Sequence, residues 1–213
     1  ERNEIVLNTG NGISISGNGS TIAGNDIIGN GSGSSNDAGI ALDDTADSNM
    51  IGLYSDGCTA AEQINVISGN NGNGMYMHTA DNNLIAGNYI GVDRIGTKAV
   101  ANTYHGIFLD FDNQSNIIGT NGDGINDTAE RNIIASNSLN GITLSTDELG
   151  DDGNTPDNNR ISGNTISTNE VNGILDQGNN TIIDSNYITA NVVDGIQFGP
   201  YADNASVFAN LIG

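Results

Sequence analysis

A four-residue unit, glycine followed by isoleucine, any residue, and then Ile or Leu, returns along the whole of this 213-residue chain. It stands at Gly12-Ile13-Ser14-Ile15, Gly39-Ile40-Ala41-Leu42, Gly106-Ile107-Phe108-Leu109 and Gly141-Ile142-Thr143-Leu144, with variants at Gly74-Met75-Tyr76-Met77, Gly173-Ile174 and Gly195-Ile196-Gln197-Phe198. Successive glycines lie 27, 35, 32, 35, 32 and 22 residues apart, the length of one solenoid turn with optional insertions. A periodicity of that kind excludes a set of independent domains. It predicts a single stack over 1–213, continuous with further turns or with a stacked copy at both ends.

A second unit, isoleucine with asparagine three residues on, accompanies the first. It places Asn8, Asn25, Asn70, Asn88, Asn137, Asn164, Asn186 and, after Val207, Asn210 at what reads as one fixed place per turn. Asparagine tolerates the left-handed backbone, and amides stacked at the strand spacing of about 4.8 Å can bond along the stack. An internal asparagine ladder is the expectation. Apolar residues between the units alternate in short runs bounded by Gly, Asn, Ser and Thr, and no window carries a helical period. The fold class is therefore all-β, a right-handed parallel β-helix of about eight turns, its hand following from the crossover rule for parallel strands.

The run from Asn83 to Gly91 with its loop ending at Gly96-Thr97, and the run from Asn116 to Gly119 followed by Arg131 to Asn137, resemble the right-handed β-helix repeat proteins of the pectate-lyase-like superfamily. The resemblance covers essentially the whole chain. It implies the fold, and an activity drawn from a range that includes polysaccharide lyases, epimerases, glycosidases, tail fibres and cell-surface proteins.

With 26 acidic against five basic residues the net charge is −21, which repels nucleic acid and anionic membrane surfaces. No apolar run is long enough for membrane insertion, and the composition suits a secreted or cell-surface protein. Cys58 is the single cysteine, so no internal disulfide forms. The sequon matches follow from the abundance of Asn.

Insertions at roughly 31–37, 53–63, 92–103, 120–130 and 146–157 are where a solenoid places function. Asp123 and Asp127 crowd one, and Asp147, Asp151, Asp152 and Asp157 crowd the last. Carboxylates grouped with Gly and Asn suit calcium, so these last four are candidate ligands. Counting from each repeat glycine, the first and third positions after it point inward, and the second and fourth point outward and stack from turn to turn. The fourth column reads Ser16, Asp43, His78, Asp110, Ser145, Gln177, and the second holds Tyr76 and Phe108. His78 between Asp43 and Asp110, with Tyr76 beside it, is the equipment of a uronate lyase or epimerase: a base, a proton donor and flanking carboxylates. Asp43 and Asp110, two turns apart at about 9.6 Å, also approach the carboxylate pair of a glycosidase. These columns hold no Arg or Lys to neutralise a substrate carboxylate, a task that falls to bound calcium. Phe108 and Phe111, with Tyr76, form the candidate platform for sugar rings. His105 reads as a turn residue.

Residues 1–16 align without gaps on 130–145 with nine identities, so the chain opens where an internal turn opens. An open sheet edge invites pairing with another chain. The first expectation is accordingly a non-catalytic extracellular solenoid, a subunit or module of a surface fibre or adhesin-like protein stacking head to tail. A polysaccharide-acting enzyme or a glycan-binding module using the Asp43/His78/Asp110 face is the alternative.

Overall fold

The computed structural model describes residues 2–53, 60–146 and 154–213. It is a right-handed parallel β-helix in which each turn contributes one strand to each of three parallel sheets, of eight, seven and seven strands. In chain order the first sheet begins with Asn3–Val6, the second with Ile13–Ile15 and the third with Thr21–Ile22. The one helix among the described residues, Ala60–Gln63, lies in an insertion.

The repeat glycines set the register of the second sheet. Ile13, Ile40, Met75, Ile107, Ile142, Ile174 and Ile196 are successive partners, as the spacing predicts. Isoleucine columns fill the interior from the other sheets: Ile27, Ile67, Ile90, Ile134, Ile166 and Ile188 from the first, Ile51, Ile85, Ile118, Ile161 and Ile183 from the third, all at most 1% exposed. Each such side chain contributes about 1.5–3 kcal/mol. β-Branching makes Ile the side chain that fits this pleated, fully enclosed stack.

Asparagines stack at three corners, which corrects the single ladder expected from the sequence. Between the third and first sheets the amides of Asn3, Asn25, Asn65, Asn88, Asn132, Asn164, Asn186 and Asn210 each donate to the side-chain oxygen of the next, at 2.9–3.1 Å. Between the first and second sheets a separate ladder runs Asn8, Asn30, Asn70, Asn102, Asn137, Asn169, Asn191. Asn49, Asn83, Asn116 and Asn159 mark the third corner. The eight asparagines taken as one column thus divide between two, because the sequence unit Ile-x-x-Asn describes a strand running into a corner and two corners of every turn satisfy it. The left-handed residue is also not the asparagine itself but the one before it. Leu7, Gly29, Gly69, Ser136, Thr168 and Ala190 at one corner, and Gly24, Gly87, Gly163, Ser185 and Ala209 at another, have φ between 54° and 73°. The kink there aims the following amide inward, where its oxygen accepts the preceding turn's backbone N–H, as Asn169 does from Asn137 at 3.0 Å.

Insertions leave the stack at these same corners. The residues before Asn65, Asn102 and Asn132, where insertions re-enter, are absent from the left-handed set.

Candidate functional site

The outward face of the second sheet carries the chemistry. Strand Asn73–His78 is the longest among the described residues, and it pairs with Ala38–Leu42 on one side and Ile107–Asp110 on the other. Registers Tyr76↔Phe108 and His78↔Asp110 put the predicted groups on adjacent turns. They border an open cleft of about 570 Å³ lined by Asn11, Asn36, Asp37, Asp43, Asp44, Tyr76, His78, Asp110 and Phe111.

Within it the Tyr76 hydroxyl donates to Asp110 Oδ2 at 2.9 Å. His78 Nδ1 stands 4.0 Å from the same carboxylate oxygen, and His78 Nε2 stands 3.7 Å from Asp44 Oδ1. The carboxylate on the far side of His78 is thus Asp44, not Asp43 as the column counting implied. Strand pairing ends at Leu42, so the period-two alternation stops there; Asp43 instead accepts from the Ser14 hydroxyl at 2.7 Å. Asp43 still lines the cleft, as does Asp37, whose carboxyl is held low by hydrogen bonds from the Ser32 hydroxyl and backbone. Burial raises the Asp110 carboxyl above its usual range, and it pushes the Tyr76 phenol well up, reinforced by the charge of Asp110. Tyr76 is therefore a protonated donor at any ordinary pH.

Phe111 edges onto His78 with ring centroids 5.1 Å apart, held by a left-handed backbone (φ 63°), a conformation that costs a bulky residue of order 1–3 kcal/mol. Thr79, which follows His78 as Phe111 follows the paired Asp110, has the same conformation (φ 50°), so the bend belongs to the repeat's corner. Phe108 touches Tyr76 edge-on at 5.8 Å but does not line the cleft. None of the Arg and Lys side chains lines it among the described residues.

His105 has a more definite place than a turn residue would. Its Nδ1 accepts from the Asn140 backbone N–H at 3.3 Å and lies 3.0 Å from the Thr143 hydroxyl, so the ring is neutral with its proton on Nε2. Burial lowers its pKa to about 4. It substitutes for an asparagine: Asn73, Asn140 and Asn172 occupy the same place in neighbouring turns, each accepting the next turn's backbone N–H. The signal was present in the sequence, as Asn before four of the repeat glycines.

Of the proposed calcium ligands, Asp147, Asp151 and Asp152 lie outside the described residues, as does Cys58. Asp157 accepts from the Thr155 hydroxyl and the Asn179 backbone. In the other acidic insertion, Asp123 and Asp127 accept from the loop's own N–H groups at Ile125 and Gly124. No group of three or more His, Cys, Asp or Glu suited to a metal ion occurs among the described residues.

No family model and no curated protein matches the chain. Among solved structures it resembles the periplasmic alginate epimerase AlgG, with TM-score 0.58 and 18% identity over 89% of this chain and 34% of that one. A double mutant of the same epimerase superposes with TM-score 0.65 and 14% identity, over 99% of this chain and 46% of the other. The chain therefore spans less than half of the epimerase, and identities at this level establish a shared fold.

Proposed function

We propose that this β-helix acts on polysaccharide through the second-sheet cleft, with His78 as the proton-transfer residue. The observation that carries the reading is the placing of one histidine between Asp44 and Asp110, with a tyrosine hydroxyl fixed on Asp110, in an open groove. His78 can take a proton from a sugar ring while Asp110 stabilises the imidazolium, and Tyr76, two residues earlier on the same strand face, can supply a proton. Return of the proton to the ring carbon completes epimerisation, whereas in lyase cleavage the proton goes to the glycosidic oxygen as its C–O bond breaks and the ring becomes unsaturated. The β-helix fold shared with an alginate epimerase supports the polysaccharide class, and the periplasmic setting of that enzyme supports export. No helix among the described residues is long and apolar enough to cross a membrane.

Glycoside hydrolysis is the second reading, favoured by the charge of the groove. Without a lining Arg or Lys, a uronate carboxylate meets Asp37, Asp43, Asp44 and Asp110 unscreened. Asp110, whose carboxyl burial raises above its usual range, would serve as acid and Asp43 or Asp44 as base. The comparisons lend nothing to a filament or adhesin role, and the polysaccharide reading is the better supported. Incubation with acidic and neutral polysaccharides separates the reactions by product: inverted ring stereochemistry, unsaturated ends or new reducing ends. His78→Gln and Asp110→Asn should each remove the activity by about 10²-fold or more, and retention of full activity in both would overturn the reading.

A further inference from the structure

In a chain of net charge −21 each of the five basic residues has abundant acidic company, and most are paired. Arg2 and Arg94 share Asp26, Arg160 holds Asp184, and Lys98 closes the hairpin whose backbone wraps Asp93. Lys98 bonds Asp93 only through its backbone, so Lys98 and Arg131 are the two basic side chains without an ion pair among the described residues, and of the two Arg131 borders a cleft. Arg131 is exposed and has neither an ion pair nor a side-chain hydrogen bond among the described residues.

Its surroundings are built like a pocket. Arg131 precedes Asn132 of the first asparagine ladder, and the equivalent residues one turn away on either side, before Asn88 and Asn164, are Gly87 and Gly163. A Cβ at Gly163 would stand 2.7 Å from the Thr120 methyl group and in ordinary contact, at 3.7 Å, with Arg131 Cγ. Below the guanidinium is a cleft of about 330 Å³ lined by Tyr89, Ile133, Thr165, Thr128, Ala129 and Ile64, besides Gly87 and Arg131. Tyr89, Ile133 and Thr165 are consecutive partners in the first sheet and form an aromatic and apolar floor. The 120–130 insertion walls it, and the 92–103 hairpin packs against its floor. Residues 120–130 bring Thr128 and Ala129, and the 92–103 hairpin brings Gly96 so close that a Cβ there would stand 2.8 Å from Ile133 and 3.4 Å from the Tyr89 ring.

From this we infer that the first-sheet cleft is a binding site for a sugar bearing a single carboxylate, an anchoring point for an acidic polysaccharide away from the His78 groove. The guanidinium fork matches a carboxylate with two parallel hydrogen bonds, the Tyr89 face takes the C–H side of a pyranose ring, and the threonine hydroxyls serve ring hydroxyls. A monoanion is the charge that suits one guanidinium on so acidic a protein, whose remaining field is screened beyond about 8 Å at physiological ionic strength. The site shares with the preceding reading only the class of polymer. It stands on a different sheet from His78 and does not depend on that histidine.

Calorimetric titration of the full chain with trigalacturonate, galactotriose and a sulfated galactotriose tests the assignment. The wild type should bind the carboxylated trimer, more weakly as salt is raised, and should bind the neutral trimer at least about tenfold less well. Arg131→Gln should lose about tenfold or more and Tyr89→Leu several-fold, with unchanged melting confirming that each variant is folded. No binding of the carboxylated trimer by the wild type, equal binding by Arg131→Gln, or a sulfated trimer that binds as well would each overturn it. A loss confined to His78→Gln would place the ligand in the other groove.

Discussion

Asp176 occupies an inward position that other turns give to Ile15, Leu42, Met77, Leu109, Leu144 and Phe198, and it is 0% exposed. One carboxyl oxygen accepts from the Gly178 N–H at 3.0 Å and the Thr181 hydroxyl at 3.1 Å; the other, Oδ2, is buried with no partner. Burial outweighs these two bonds and raises the pKa to about 6. An unfolded aspartate releases its proton near pH 3.9, so between about pH 4 and 6 the native chain holds a proton that the unfolded chain has lost. Stability from this group is complete below about pH 4 and is lost as the pH rises through 6. A shift of about two units corresponds to roughly 3 kcal/mol, or about 6–12 °C in Tm for a chain of this size. Asp176→Asn keeps the shape and the acceptor oxygen but cannot ionise. Thermal unfolding of both proteins followed by circular dichroism from pH 4 to 8 should therefore give curves that diverge, the variant gaining on the wild type as the pH rises and the gap levelling off above about pH 7. Parallel curves across that range would refute the reasoning.

Asn164→Leu should cost about 2–4 kcal/mol, since it strips the Asn132 backbone N–H and the Ile118 carbonyl of their partners, whereas Asn36→Ala at an exposed amide should stay within about 0.5; chemical denaturation compares them. Gly119→Ala should cost more than about 3 kcal/mol or prevent folding, because φ is 107° and the added Cβ would stand 1.9 Å from the Ser162 carbonyl oxygen; yield and melting temperature report it. The His105 imidazole should stay neutral down to about pH 4, and stability should fall as the pH drops below about 6.5 toward that value, an effect absent from His105→Asn; an NMR titration of the ring checks the first part.

The second-sheet register was legible because a glycine before each strand is a strict requirement. A Cβ at Gly74 would lie 2.5 Å from the Gly106 carbonyl oxygen, and the same clash recurs at Gly106 against Gly141. The position therefore repeats in every turn and counts the turns. His78, Tyr76 and Asp110 followed from that count. Asp44, Asp37, Asn36 and Asn11 did not, because they reach the cleft from corners and an insertion whose paths no period describes. Two of the three ladders were collapsed into one because equivalent corners write the same sequence. Arg131 was visible only as a letter: its isolation depends on which acidic side chains lie near it, a property of the folded stack.

The re-entry of insertions at Asn65, Asn102 and Asn132 bears on how such a chain can be rewritten. A left-handed corner residue is the usual way into the spine, yet a loop of any path that delivers an asparagine amide to the same place serves equally well. The rung reads only that amide. A foreign segment spliced between Asn30 and Ala38, or between Thr120 and Glu130, would then be held at both ends by contacts that never see its contents. Grafting, recombination between turns and the gradual acquisition of new loops all become local edits, and the surface can diversify while the interior keeps one repeated answer.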